Sequence, residues 1–291
     1  MTGERTYRFV QLEFPWPLGP EDGRYLLREH AGEEAHHVLV IGSVAAPARP
    51  RQRRWGRAQD ATAAPTEVGI GRATLIDPET VAPDEAVAWL ESATGAETDA
   101  AVDDAIRWLN HALRMHRAAS ADGTVREVAE SQALAIRAGF GEGFEVAEGE
   151  WTSARTVPAR RDRGPSGRSR RMDALRPQER LAALLAGRDA VLACEELTLR
   201  ARADLDAGRP REAALQAHVA VESAVAELAA FRDQFGMGER VDELDGLRPA
   251  LSAAADEALH RGPSEATIEA VGHAIGRLEA ALRARAASAV Y

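Results

Sequence analysis

Four residues in the C-terminal half are of the types that hold metals. Glu195 and Glu196 lie on one helical stretch, His218 and Glu222 on the next. If the two stretches fold back about Arg209, the carboxylates come nearly level, with His218 one turn from Glu222. Carboxylate-bridged bundles build metal centres from inward glutamates and histidines on facing helices. Their motif is Glu-x-x-His, used twice, with two further glutamates. Here His218 and Glu222 are four apart, and Glu269 and His273 repeat that spacing in the opposite order. Polar i,i+4 pairs on a solvated face account for the same residues. No cofactor or metal is therefore expected, with Glu195, Glu196, His218 and Glu222 the candidates if a metal is held.

Two arginine clusters form the other chemically loaded feature. Arg49, Arg51, Arg53, Arg54 and Arg57 surround Trp55, and Arg160, Arg161, Arg163, Arg168, Arg170 and Arg171 follow later. Guanidinium groups bind phosphate bidentately and an interleaved aromatic stacks on a base. The body around them is acidic, which opposes long-range steering of nucleic acid. The glycines of Gly139-Phe-Gly-Glu-Gly143 follow a helical pattern and stand among Glu142, Glu145 and Glu148. A phosphate cradle needs a helix N-terminus after the glycines, so a turn is expected. His36 and His37 alternate across a strand, and His111 and His116 point from different helix faces, as surface or rim residues do. No Gly-x-Ser-x-Gly elbow is present. All 36 basic residues are arginine, which excludes Schiff-base lysine and phosphate-loop lysine chemistry. Cys194, the single cysteine, lies on an apolar stripe and is expected to pack.

The elements that position these residues fall into two groups, with fold class α+β. Tyr7–Phe14, Arg24–Arg28, His37–Val44 and Ile70–Ile76 alternate or run apolar as strands of a small antiparallel meander. Helices are expected at Pro83–Glu91, Asp99–Arg117 and Thr124–Ala138, with a last strand within Glu145–Thr156. Phe14-Pro-Trp16-Pro-Leu18 ends the first strand, with Trp16 expected against the sheet edge.

From Pro177 the pattern becomes helical. Leu184, Val191, Thr198 and Leu205 recur every seven residues, alternating with Gly187, Cys194 and Ala201, with Leu185, Leu192 and Leu199 alongside. Gly208 and Pro210 turn the chain, and Ala214, Ala217, Val221, Ala224, Leu228 and Phe231 line the return. Leu205–Leu215 is echoed by Leu259–Ile268, so a second hairpin follows, with a turn at Asp242–Leu247 and Pro249 starting or kinking its first helix. Two αα-hairpins make an antiparallel helical bundle. The first hairpin is similar to one tetratricopeptide unit at Ala201, Gly208, Ala213 and Ala220. The likeness lacks that motif's aromatics and its 34-residue repeat.

Three segments result: an α+β domain over 1–154 with a mobile loop at 45–67, an arginine-rich flexible linker at 155–171, and a helical bundle over 172–291. Their net charges are −10, +6 and −6, so two basic segments sit on an acidic body. No apolar run approaches the ~20 residues of a membrane helix, and a cytoplasmic protein without membrane contact is expected. The sequence reads as a non-catalytic adaptor whose helical bundle binds another protein. The alternative is a nucleic-acid-associated accessory protein using segments 49–57 and 160–171. A third is a metal-binding bundle enzyme.

Overall fold

The computed structural model describes residues 6–28, 30, 32–44, 69–91, 96–143, 146, 149–158, 177–234 and 236–288. The chain divides into two compact units, Met1–Gly164 and Pro165–Tyr291. The expected loop at 45–67 and the linker arginines from Arg160 to Arg171 lie outside the described residues, whereas Arg155 and Thr156 of the expected linker end a strand of the first unit and Val157 is buried in its core.

The first unit is built on β1 (Thr6–Phe14). Its alternation puts Val10, Leu12 and Phe14 on one face and Phe9, Gln11 and Glu13 on the other. Both edges of β1 pair antiparallel, with β4 (Ile70–Val81) on one side and β5 (Ala135–Glu142) on the other. With β2 (Gly23–Leu27), β3 (His37–Val44) and β6 (Ser153–Thr156), the order is β2-β3-β4-β1-β5-β6. Leu39 and Leu75 join Leu12 and Phe14 beneath α1 (Pro83–Glu91) and α2 (Ala96–Ser120). The helices contribute Ala86, Leu90, Trp108, Leu109 and Leu113 to this core. The opposite face holds a smaller cluster of Phe9, Ile76 and Val146, with Trp151 against it.

The α+β class stands, but the segment after α2 departs from expectation. No helix forms over Thr124–Ala138. The side chain of Asn110 holds that stretch, accepting from the Val128 amide at 2.7 Å and donating to its carbonyl at 2.9 Å. A short 3₁₀ turn at Glu130–Gln132 then feeds β5. The glycines expected as a turn lie within or just past that strand. Gly139 is required there: a Cβ would come within 2.5 Å of the Ser153 carbonyl and 2.7 Å of the Phe9 ring. Ile136, Ala138 and Phe140 are buried at period two, which outweighs local helix preference. Trp16 is partly exposed and tilts against Phe14 at 5.8 Å.

The second unit is helical: α3 (Pro177–Leu185), α4 (Ala193–Asp206), α5 (Pro210–Leu228), α6 (Met237–His260) and α7 (Glu265–Ser288). Helices α4 to α7 surround one core. Ala213, Ala214, Ala217, Ala220 and Ala224 line α5, facing larger groups such as Met237, Leu244, Leu251, Ile275 and Leu278. Small residues on the central helix bring its neighbours close, and the large ones fill the space between.

Two helix boundaries differ from the sequence pattern. The long outgoing helix is broken. Gly187 takes φ +68°, and the Arg188 amide donates back to the Ala183 carbonyl at 2.9 Å, which ends α3. Hence Leu185, Val191 and Leu199 are exposed, whereas Cys194, Thr198 and Ala201 are buried. Second, α6 runs unbroken through Asp242–Leu247 and carries Pro249 inside it. An interior proline costs about 3 kcal/mol. Val241, Leu244, Leu251 and Ala254, buried on both sides of it, offset that cost.

Candidate functional site

The four metal candidates are directed elsewhere. Glu195 lies at the start of α4, where its carboxylate accepts from Arg180 at 2.6 Å, from Arg285 at 3.4 Å and from the Leu192 amide at 3.1 Å. Glu196 pairs with Arg200 at 3.6 Å. Glu222 accepts two hydrogen bonds from Arg248, at 2.9 and 2.5 Å, and that contact holds its carboxyl below the ordinary 4.5. His218 adds to the same effect, and its Nδ1 is buried without a hydrogen-bond partner among the described residues. Among the described residues, no three histidines, cysteines or carboxylates gather where they could hold a metal. The arginines 51, 53, 54, 160, 161, 163, 168, 170 and 171, with Trp55, lie outside the described residues.

Glu195 belongs instead to a quartet at one end of the helical unit. Arg285, 4% exposed on α7, donates to Asp189 at 2.6 Å and to the Ala190 carbonyl at 3.3 Å, and stacks over Phe231 at 5.0 Å. Arg180 of α3 reaches the same two carboxylates, Asp189 at 3.3 Å and Glu195 at 2.6 Å. Two cations and two anions cancel, so burial costs less than for an unpaired charge. Burial pushes Asp189 up, but the Ala190 amide and the two guanidinium groups prevail and hold it below its ordinary 3.8. Nearby, Glu227 caps α4 from α5 by accepting from the amides of Ala193 and Cys194. Burial, with Glu227 beside it, pushes the Cys194 thiol well up. A thiol so held is not a nucleophile at neutral pH.

This quartet places α3 without burying it. None of the nine residues of α3 is buried. Leu181 and Leu185, one turn apart on the same face, are 46% and 81% exposed, and Val191 just beyond is 56% exposed.

The first unit carries a different constellation, at the end of the sheet where β1 begins and β4 ends. Tyr7 pairs with Thr80 and Phe9 with Ile76, so Arg8 alone faces Asp77, Pro78 and Glu79. That bulge accommodates Pro78, which has no amide for the ladder. It also brings Arg8 to Asp77 at 2.8 Å. Next to it, His37 of β3 donates from Nε2 to Asp104 of α2 at 2.7 Å. Arg107 binds the other oxygen of Asp104. Trp108 forms the backing: His36 stacks on it at 5.4 Å, while His37 and His111 meet it edge-on at 5.6 Å each. These histidines share the Trp108 ring, while His36 stays on the surface as expected.

Compared with protein-family models, with curated proteins and with solved structures, the chain matches none.

Glu195 meets Arg180 and Arg285 in place of the expected Glu196, His218 and Glu222, and Arg8, Asp77, Asp104, Asp189 and Arg285 stand in no motif. One signal was available. Pro78 follows the expected strand end at Ile76, and where the strand runs on to Val81 a proline inside it marks a bulge that re-aims its neighbours. No helix among the described residues is long and apolar enough to cross a membrane.

Proposed function

We propose that the helical unit is a non-catalytic docking module for another protein, with α3 as the contact element. The observation that carries this is α3 itself: a nine-residue helix without a buried residue, holding Leu181 and Leu185 outward while Arg180 pins it to Asp189 and Glu195. A helix this short is marginal in water and draws its stability from packing on one face. Covering a leucine side chain contributes about 1.5–3 kcal/mol. Docking an amphipathic helix into a partner's groove is a common recognition mode. The ion-pair anchor fixes α3 in place before a partner arrives, which lowers the ordering cost of association.

The test uses the full chain as bait in native lysate, alongside the double variant Leu181→Ser/Leu185→Ser and the control Val219→Ser. The expected result is one protein that resists nuclease, is retained by the control, and is lost from the double variant. Equal recovery with wild type and double variant overturns the assignment to α3. Recovery that depends on nucleic acid overturns the docking reading and favours the arginine segments.

A further inference from the structure

The end of the sheet in the first unit holds a cleft that the docking reading leaves unused. Its cavity has a volume of about 210 Å³ and is lined by Arg8, Val10, His37, Leu75, Trp89 and Asp104, among others. That is room for a small molecule or for the end of a larger one.

The hydrogen bonds that remain unmade decide what such a molecule must offer. Each oxygen of the two carboxylates already holds a donor. Asp77 takes Arg8 and the Glu79 amide; Asp104 takes His37 and Arg107. Arg8, by contrast, makes a single hydrogen bond among the described residues, from Nη2 to Asp77. A guanidinium has five N–H donors, so the spare capacity lies with donors and the ligand must bring acceptors. Arg8 is already oriented, by Asp77 on one side and by the Trp89 ring 5.9 Å below it on the other. A planar fork fixed in this way suits a carboxylate. His37 gives its Nε2–H to Asp104, and its Nδ1 is buried with no hydrogen-bond partner among the described residues; in the neutral ring that nitrogen accepts, so it calls for a donor on the ligand, such as an ammonium.

Charge limits the choice further. Arg8 balances Asp77, and Arg107 balances Asp104, so a negative charge on the ligand beyond the one that hydrogen-bonds to Arg8 finds no partner. Asp77 also borders a wider hollow of about 840 Å³, lined by Glu33, Glu34 and Glu79 with His30 and His36. Those carboxylates oppose phosphates and dicarboxylates but favour an ammonium at the ligand's outer end. The apolar walls at Val10, Leu75 and Trp89 call for a hydrocarbon or aromatic body.

We propose that this cleft binds a small monocarboxylate with an apolar body, of amino-acid size, its carboxylate on the free edge of Arg8. Calorimetry on the full chain tests this with L-leucine, 4-methylpentanoate and succinate as probes. Leucine or 4-methylpentanoate is expected to bind and succinate to fail. Leucine alone binding places the ammonium in the acidic hollow; 4-methylpentanoate binding equally well assigns the site to simple apolar acids. Arg8→Gln is expected to weaken binding by about tenfold or more, the worth of a charge-assisted hydrogen bond. A circular-dichroism spectrum and unfolding midpoint of Arg8→Gln that match the wild type guard against a mere folding defect. Binding of succinate in preference, no binding of either apolar acid up to about 10 mM, well above millimolar dissociation constants, or binding unchanged in Arg8→Gln overturns the proposal.

Discussion

Arg285 and Arg8 are in outwardly similar settings, each beside a carboxylate and over an aromatic ring. Arg285 is 4% exposed and spends its guanidinium on Asp189, Glu195 and the Ala190 carbonyl. Arg8 is 28% exposed and makes one hydrogen bond among the described residues, to Asp77, at the rim of a cavity. The first arginine closes a neutral network that joins α3, the turn after it, α4 and α7. The second keeps donors in reserve. A charged group with its partners in place specifies structure, whereas one with unspent donors beside a cavity is positioned to bind something.

The contrast is broken most severely at Arg285. Arg285→Met leaves Asp189 and Glu195 buried with only Arg180 to balance them. Removing one partner of a buried pair costs about 3–5 kcal/mol. Hydrogen exchange followed peptide by peptide is expected to show protection lost across α4 to α7, with β1 to β6 unchanged. A loss under about 1 kcal/mol, the range of surface pairs, would place Arg285 with Arg8 and dissolve the distinction.

Acid offers a second way in. Burial pushes Glu227 up, but the Cys194 amide and thiol and the Ala193 amide outweigh it and hold the carboxyl below its ordinary 4.5. A carboxyl depressed in the folded state contributes stability above its unfolded value, which is lost as pH falls through the folded value. Asp189, below its ordinary 3.8, acts with the same sign. The helical unit should therefore weaken as pH drops below about 4.5. Glu227→Gln should cost about 1 kcal/mol at neutral pH, as loss of a helix cap does, and flatten that acid limb. Parallel titrations of wild type and variant would show that the cap does not carry the effect.

A smaller and local effect is expected at Arg180. Arg180→Gln keeps Arg285 with its two carboxylates but releases α3, which has no buried residue to hold it. Exchange over 177–185 should become fast at a cost of about 1 kcal/mol or less, while α4 to α7 stay protected. Capture of a partner through Leu181 and Leu185 should weaken in step. Unchanged protection of α3 would show that it is packed rather than pinned.

What the sequence displays is periodicity, and periodicity is local. The strand at His37–Val44 and the helix at Pro83–Glu91 have the boundaries their patterns indicate. The class α+β and the helical C-terminal region follow from the same signal. What it hides is decided across distance. The apolar stripe continues through Gly187 as though α3 and α4 were one helix, and the break is locked by Asp189 meeting Arg285, 96 residues later. β5 carries two glycines and two alanines, a composition that argues against a strand. Gly139 is required because β6 and Phe9 leave no room for a side chain. Arg8 with Asp77 and His37 with Asp104 are 69 and 67 residues apart, and nothing in their local spacing joins them.

The smallest stability effect is the most informative. Arg8 is more than a quarter exposed and its ion pair with Asp77 lies at the rim of the cleft, so Arg8→Gln should change unfolding stability by no more than about 0.5 kcal/mol. The same substitution is expected to cost about tenfold in binding of an apolar carboxylate. Structure and binding thus separate at this residue, whereas at Arg285 structure is the larger part. Urea unfolding read by exchange in β1 and β4, set beside calorimetry on the same variant, measures both quantities. If Arg8→Gln unfolds the first unit as readily as Arg285→Met unfolds the second, Arg8 is a structural ion pair. The cavity beside it is then a packing gap, and its spare donors belong to solvent.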